Sequence, residues 1–188
     1  MNHSRIFTIE RFLSSSESAS LADLCEGIGF ENQYSGEGLL IRSRAQFEDH
    51  YWAKLIWERL QSALPRLTDV YTNGFSPEPA PPYPLHLYSP VQLNERFRCY
   101  KYGPGEEFRR HQDIAFEYSK TKRTFFTVLI YLNDGYAGGE TTFDDCIVTP
   151  NLGMLVMFPH ELEHAGQKIV SGLKYTIRTD VVYEAFAG

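Results

Sequence analysis

Cysteine is scarce and scattered in this 188-residue chain: Cys25, Cys99 and Cys146 lie far apart, with no CxxC spacing. Three is an odd number, so a disulfide framework is not expected and reduced thiols are. Long apolar runs are missing too. No stretch approaches the roughly 20 apolar residues that span a bilayer. The N-terminus, MNHSRIFTIERFLSSSES, has no apolar core of the kind that directs secretion. A cytoplasmic location is expected on these grounds, with no membrane partner. Nor is there an excess of positive charge: 18 Lys and Arg stand against 24 Asp and Glu, for a formal net charge of −6. Without a basic stripe, nucleic acid is not an expected partner. Hydrophobic residues at 43% and charged residues at 22% exclude a disordered chain.

Aromatic residues are plentiful, at 14% with 13 Phe and 12 Tyr. Rings of that size suit sheet faces and sandwich interiors. Ile6–Phe12 reads as a short strand. A helix over 17–28 follows, with Ser14 or Ser15 as its cap and Glu17 near the capping-box position. Glycines 29, 36 and 38 lead to a candidate strand at Leu39–Ile41. Ala53, Ile56, Trp57, Leu60 and Leu64 fall at helical spacing, predicting a helix over Phe47–Leu64 that Pro65 stops. Residues 76–90, SPEPAPPYPLHLYSP, are too rich in proline for a helix and read as an extended connector.

The texture changes beyond residue 93 to short strands separated by turns: Glu95–Tyr102, Thr124–Leu132, Glu140–Phe143, Cys146–Thr149, Met154–Phe158 and 173–183. This pattern predicts a mainly β fold, a sandwich or barrel, with N-terminal helices as a supporting layer. A single domain over 1–188 is expected. In it, 1–92 supplies helical support and the Pro-rich connector, and 93–188 the core.

Two histidine patterns compete for the chemistry. The first is His111-Gln112-Asp113 with a later His164. In extended chain, residues i and i+2 project to one side, so His111 and Asp113 can bind one metal edge. A histidine from a distant strand then completes a facial triad that leaves positions open, as suits non-haem Fe(II). The second is His160-Glu161-Leu162-Glu163-His164, which satisfies the HExxH zinc-peptidase pattern. That motif works on a helix, where i and i+4 share a face. Between Pro159 and Gly166 there is room for little more than one helical turn. His160 is therefore expected in a turn near the site and not as a ligand.

Around HxD…H stand Tyr102-Gly103-Pro104-Gly105, Tyr131-Leu132-Asn133, Gly138-Gly139-Glu140-Thr141 and Lys174, ten residues beyond His164. Together these closely resemble the prolyl 4-hydroxylase-like family of Fe(II)/2-oxoglutarate-dependent oxygenases, well over residues 93–184 and loosely before them. The resemblance implies a double-stranded β-helix (jelly roll) core with Fe(II) on His111, Asp113 and His164. It implies 2-oxoglutarate bound through its far carboxylate to Lys174, with Tyr131 as second donor and Tyr102 lining the pocket. Many members carry arginine in place of Lys174. Lysine is a point charge without the bidentate fork, which is why a second donor is expected. Phe108 stands where relatives often have tyrosine. The activity implied is a dioxygenase reaction that consumes O₂, hydroxylates an unactivated C–H bond and releases succinate and CO₂, with ascorbate supporting turnover.

On the last strand Lys174, Thr176 and Arg178 share one face. Burying an unpaired Lys174 is costly, and a bound dicarboxylate would remove that cost. Arg178 reads either as a rim salt bridge or as a substrate contact. Tyr118, within the polar segment Ile114–Arg123, is a second candidate substrate contact. That segment, residues 76–90 and Gly36–Arg44 are the regions expected to set the substrate. A prolyl-type residue in a peptide or protein, a free amino acid and a small metabolite all fit. Two alternatives remain at this point: a zinc peptidase through His160, Glu161 and His164, and a non-catalytic jelly-roll module that binds 2-oxoglutarate. Sequence alone does not set the oligomeric state.

Overall fold

The computed structural model describes residues 5–34 and 40–186. Its first half runs β1 (Phe7–Ile9), α1 (Ser15–Ile28), β2 (Glu31–Tyr34), β3 (Leu40–Glu48), α2 (His50–Leu60), α3 (Leu67–Val70) and β4 (Tyr88–Leu93). The second half holds β5 (Arg96–Tyr102), β6 (Phe108–His111), β7 (Lys122–Tyr131), β8 (Ala137–Gly138) and β9 (Thr141–Thr142). It continues with β10 (Ile147–Val148), β11 (Leu155–Pro159), β12 (His164–Gly166), β13 (Ile169–Ser171) and β14 (Lys174–Ala185).

The expected jelly-roll core is present. Its larger sheet has the order β1-β11-β7-β14-β5-β3-β2, with β4 also pairing β14. A smaller four-stranded sheet, β10-β9-β12-β6, carries both metal-site histidines, and β13 and β8 form a short ribbon. The pairs in these sheets are antiparallel. N-terminal and C-terminal strands share the larger sheet, so the first half supplies strands as well as helices. The three cysteines are free thiols. Among the described residues no helix is long and apolar enough to cross a membrane.

Local chemistry explains the helices. Ser14 accepts a hydrogen bond from the Glu17 amide while the Glu17 carboxylate accepts one from the Ser14 amide, completing the capping box. Such a cap stabilises a helix end by about 1 kcal/mol. α2 starts later than its apolar spacing predicts. Asp49 caps it by accepting from the Trp52 amide, and Trp52, Ala53, Ile56 and Leu60 form its buried face. Phe47 belongs instead to β3, paired and stacked with Phe97 at 5.5 Å. The first strand is also shorter than expected, because the chain turns at 10–13. The Pro-rich connector ends in β4, where Pro90 sits opposite Tyr183 at a register shift. Leu39, at the start of the expected Leu39–Ile41 strand, and Gly36–Gly38 lie outside the described residues.

Candidate active site

Strand pairing brings the two histidines together. His111 ends β6, His164 begins β12, and the two are direct partners in the antiparallel register. Their rings lie 4.3 Å apart between centroids. Asp113 follows two residues after His111, where its amide donates to the His160 carbonyl at 2.9 Å. One ligand atom from each of His111, Asp113 and His164 falls within 4.8 Å of the others. Among the described residues this is the one such group of three.

Each imidazole has its tautomer fixed by its backbone. Nδ1 of His111 lies 2.9 Å from the Arg109 carbonyl, and Nδ1 of His164 lies 2.9 Å from the Leu162 carbonyl. A carbonyl only accepts, so Nδ1 carries the proton in both rings and Nε2 keeps its lone pair. The two Nε2 atoms stand 3.7 and 3.8 Å from the Asp113 carboxylate oxygens. Nε2 of His111 is buried without a hydrogen-bond partner. Two lone pairs and a carboxylate that converge in this way fit a divalent ion bonded at roughly 2.0–2.2 Å. Burial lowers the pKa of His164 despite the opposing pull of Asp113, which favours the neutral ligand form.

Burial alone would raise the Asp113 pKa, but Arg178 and the neighbouring histidines outweigh it and hold the carboxyl well below its usual range. Arg178 Nη1 reaches one Asp113 oxygen at 2.6 Å, and the Thr127 hydroxyl donates to the other at 2.5 Å. Arg178 also bonds the buried Asp180 at 3.2 Å. Arg178 thus lies inside the site, beside the metal carboxylate, and not at the rim.

A narrow cleft of about 40 Å³ runs from the histidines to Lys174. Its near wall is aromatic: Phe108 stacks on His111 at 3.8 Å, and Phe158 meets His164 edge-on at 4.6 Å. At the far end Lys174 is 4% exposed. Its ammonium donates to the Gly139 carbonyl at 2.5 Å and lies over the rings of Tyr131 and Tyr102, 5.1 and 5.7 Å from their centroids. Burial pushes its pKa down to about 8. A cation kept this dry, with Glu140 acting on it but no carboxylate in ion-pair contact, fits an anionic ligand. Gly139 has φ +76°, and an added Cβ would come within 2.5 Å of Ile169 and 3.0 Å of Lys174. Only glycine gives the lysine room there.

Tyr102 lines the cleft. Tyr131 does not. Its hydroxyl is paired with Thr141 Oγ1 at 2.7 Å, and Thr141 is the group that faces the cleft. Tyr118 also lies off the cleft, 42% exposed and packed on Phe116. Sequence reading missed Thr127 and Thr141. The signal for Thr127 was a hydroxyl within the apolar run TFFTVLIY, which a buried strand carries at a cost unless it is bonded.

The HExxH segment is not a helix. β11 ends at Pro159, a turn follows, and β12 begins at His164. His160 is fully buried with both ring nitrogens 2.9 Å from threonine hydroxyls, those of Thr127 and Thr124. The Glu161 carboxylate is taken by the Tyr71 hydroxyl and the Glu78 amide, each at 2.9 Å. No zinc-peptidase arrangement of His160, Glu161 and His164 exists here.

Residues 96–179 match the family model described as the 2OG-Fe(II) oxygenase superfamily. This segment is similar to members of that superfamily. The matched residues include His111, Asp113 and His164 together with Lys174 and Arg178. Solved structures agree on the fold. A viral collagen prolyl hydroxylase from Paramecium bursaria Chlorella virus-1, complexed with 2-oxoglutarate, superposes with a TM-score of 0.64 at 17% identity, covering 98% of both chains. A Pseudomonas putida prolyl-4-hydroxylase gives 0.60 at 20% identity, covering 98% of this chain and 95% of the other. A Trichoplax adhaerens prolyl hydroxylase bound to a hypoxia-inducible-factor peptide gives 0.59 at 18% identity, covering 96% and 84%. No curated protein sequence matches this chain.

Proposed function

We propose that this chain is a 2-oxoglutarate-dependent hydroxylase that oxidises a C–H bond of a prolyl-type residue in a peptide. The observation that carries this is one cleft holding a converged His111–Asp113–His164 set at one end and a buried, unneutralised Lys174 at the other. Two imidazoles and one carboxylate suit Fe(II), and they leave positions open on the ion for a chelating cosubstrate and O₂. Bound iron and 2-oxoglutarate supply, with O₂, the oxidising power for inserting oxygen into a C–H bond, yielding succinate and CO₂.

The chain's own residues do the positioning. The Arg109 and Leu162 carbonyls aim the two Nε2 lone pairs, while Arg178 and Thr127 hold Asp113 by one oxygen each. Lys174 receives the far carboxylate of 2-oxoglutarate, with Tyr102 beside it and Thr141 supplying the second hydroxyl in place of Tyr131. Phe108 and Phe158 shield the histidines from water.

The segment directly after Asp113 supports a peptide substrate over a free amino acid. Ile114 is 83% exposed, followed at alternate positions by Phe116 and Tyr118. Such a ledge suits an extended chain and has little use for a small metabolite. The structural neighbours named above are prolyl hydroxylases, which supports the same substrate class.

The test supplies purified protein with Fe(II), 2-oxoglutarate, O₂ and ascorbate, and measures succinate with and without proline-containing peptides. Peptide-stimulated succinate with a matching mass gain of one oxygen is expected. A protein that forms no succinate and binds no divalent metal would overturn the proposal.

A further inference from the structure

Behind Asp113 lies a row of buried polar groups that the metal and cosubstrate do not use. Asp113 Oδ2 meets Thr127 Oγ1, which lies 2.9 Å from His160 Nδ1. On the other side of the ring, His160 Nε2 lies 2.9 Å from Thr124 Oγ1, which accepts a hydrogen bond from the Phe116 amide at 2.8 Å. His160, Thr124 and Thr127 are each at most 1% exposed, so water does not compete for these bonds.

The chemistry at the two ends sets the direction of every bond. An ionised carboxylate only accepts, so the Thr127 proton is committed to Asp113. Thr127 Oγ1 must therefore accept from His160 Nδ1–H. At the far end an amide only donates, so Thr124 Oγ1 accepts from Phe116 and gives its own proton to His160 Nε2. A neutral imidazole protonated on Nδ1 meets both demands. Neither a methyl nor a hydroxyl at 160 would span the two threonines with one donor and one acceptor. Backbone bonds brace the same row: Thr124 N donates to the Phe116 carbonyl at 3.0 Å, and Asp113 N donates to the His160 carbonyl at 2.9 Å.

We infer that His160 is a positioning residue: it orders a one-way hydrogen-bond chain, Phe116 amide to Thr124 to His160 to Thr127 to Asp113, that ties the exposed 114–118 segment to the metal carboxylate. This rests on the metal-site reading above. The segment that would meet substrate is thereby linked to one side of the metal site through four hydrogen bonds, three of them fully buried.

The test is Mn(II) affinity by electron paramagnetic resonance titration, together with hydrogen exchange at residues 114–118, on the full chain. Thr127→Val, nearly the same shape without the hydroxyl, is expected to weaken Mn(II) binding roughly 10- to 100-fold, with Thr127→Ser recovering most of the loss. Thr124→Val touches no metal ligand, yet it should weaken Mn(II) binding on the order of three- to tenfold. It should also speed exchange of the Phe116 amide, and Thr124→Ser should restore both readouts. His160→Leu should reproduce both defects together. Wild-type Mn(II) affinity in Thr124→Val, with the Phe116 amide exchanging faster, would overturn the link. Serine variants as weak as the valine variants would overturn it as well, since packing and not the hydroxyl would then matter. A wild-type chain that binds no Mn(II) would overturn the metal site itself, and this inference with it.

Discussion

Lys174 offers the sharpest test of the cosubstrate site, because a residue kept for binding should be a burden to the empty protein. Replacing it with methionine keeps the length and removes the charge. The ordinary lysine pKa of 10.5 falls to about 8 here through burial. At 1.36 kcal/mol per pH unit, that difference corresponds to a penalty of about 3 kcal/mol on the charged form. Losing the bond to the Gly139 carbonyl gives back about 1 to 2 kcal/mol of it. The Lys174→Met protein should therefore be more stable than wild type at pH 7 by about 1 to 2 kcal/mol. For a chain of this size that is a rise in Tm of roughly 2–8 °C.

The sign of the pH dependence follows from the same shift. Below pH 8 both folded and unfolded chains carry the charge, and the full penalty applies. Between about 8 and 10.5 the unfolded chain binds more protons than the folded one, so wild-type stability rises with pH and the penalty fades. The advantage of Lys174→Met should therefore shrink across that window. Adding Mn(II) and 2-oxoglutarate reverses the ranking, because ligand at 100 times Kd stabilises wild type by about 2.7 kcal/mol and the variant far less. Calorimetry with and without 2-oxoglutarate at pH 7, 8.5 and 10 measures all three effects. A variant less stable than wild type when empty at pH 7, or equally stabilised by 2-oxoglutarate, would refute the reasoning.

Three further outcomes are expected. Gly139→Ala places a methyl against Ile169 and Lys174 at positive φ. It should weaken 2-oxoglutarate binding by titration calorimetry and cost on the order of 1–2 kcal/mol of stability from the backbone alone. Arg178→Met strips a partner from two buried carboxylates, Asp113 and Asp180, and should destabilise the empty protein by about 3–5 kcal/mol in urea unfolding. Glu161→Gln should leave 2-oxoglutarate turnover intact and cost at most about 1 kcal/mol, since the Tyr71 and Glu78 bonds it weakens are remote from the cleft.

The parts of this protein that were legible in its sequence are those whose determinants are local. Ser14 and Glu17 meet within one helical turn, and both bonds of the capping box form as their spacing predicts. His111 and Asp113 are two apart and so could be read as a pair locally, although β6 ends at His111 and the His160 carbonyl holds the Asp113 amide. Helix α2 was overextended because Phe47 continues its apolar spacing. What fixes Phe47 in β3 is Phe97, fifty residues away across the sheet, and no window along the chain contains both. Tyr131 was assigned the cosubstrate bond for a related reason. Its hydroxyl is bonded to Thr141, which arrives on β9 and lines the cleft, a contact between strands that spacing along the chain does not reveal.

His160 shows how one histidine can satisfy a motif by letter and serve another purpose in space. The HExxH pattern requires i and i+4 on a common face, which a helix provides and this segment does not. With β11 ending at Pro159 and β12 starting at His164, the two histidines fall on either side of a turn. His164 faces His111 across the smaller sheet, and His160 turns inward to Thr124 and Thr127. A buried imidazole with no hydrogen bonds would cost several kcal/mol, so its retention in the core requires partners that match its donor and its acceptor. The two threonines on β7 meet that requirement, and one of them passes the bond on to Asp113. The same residue that makes the sequence read like a zinc peptidase is thus bonded, through Thr127, to the Asp113 carboxylate.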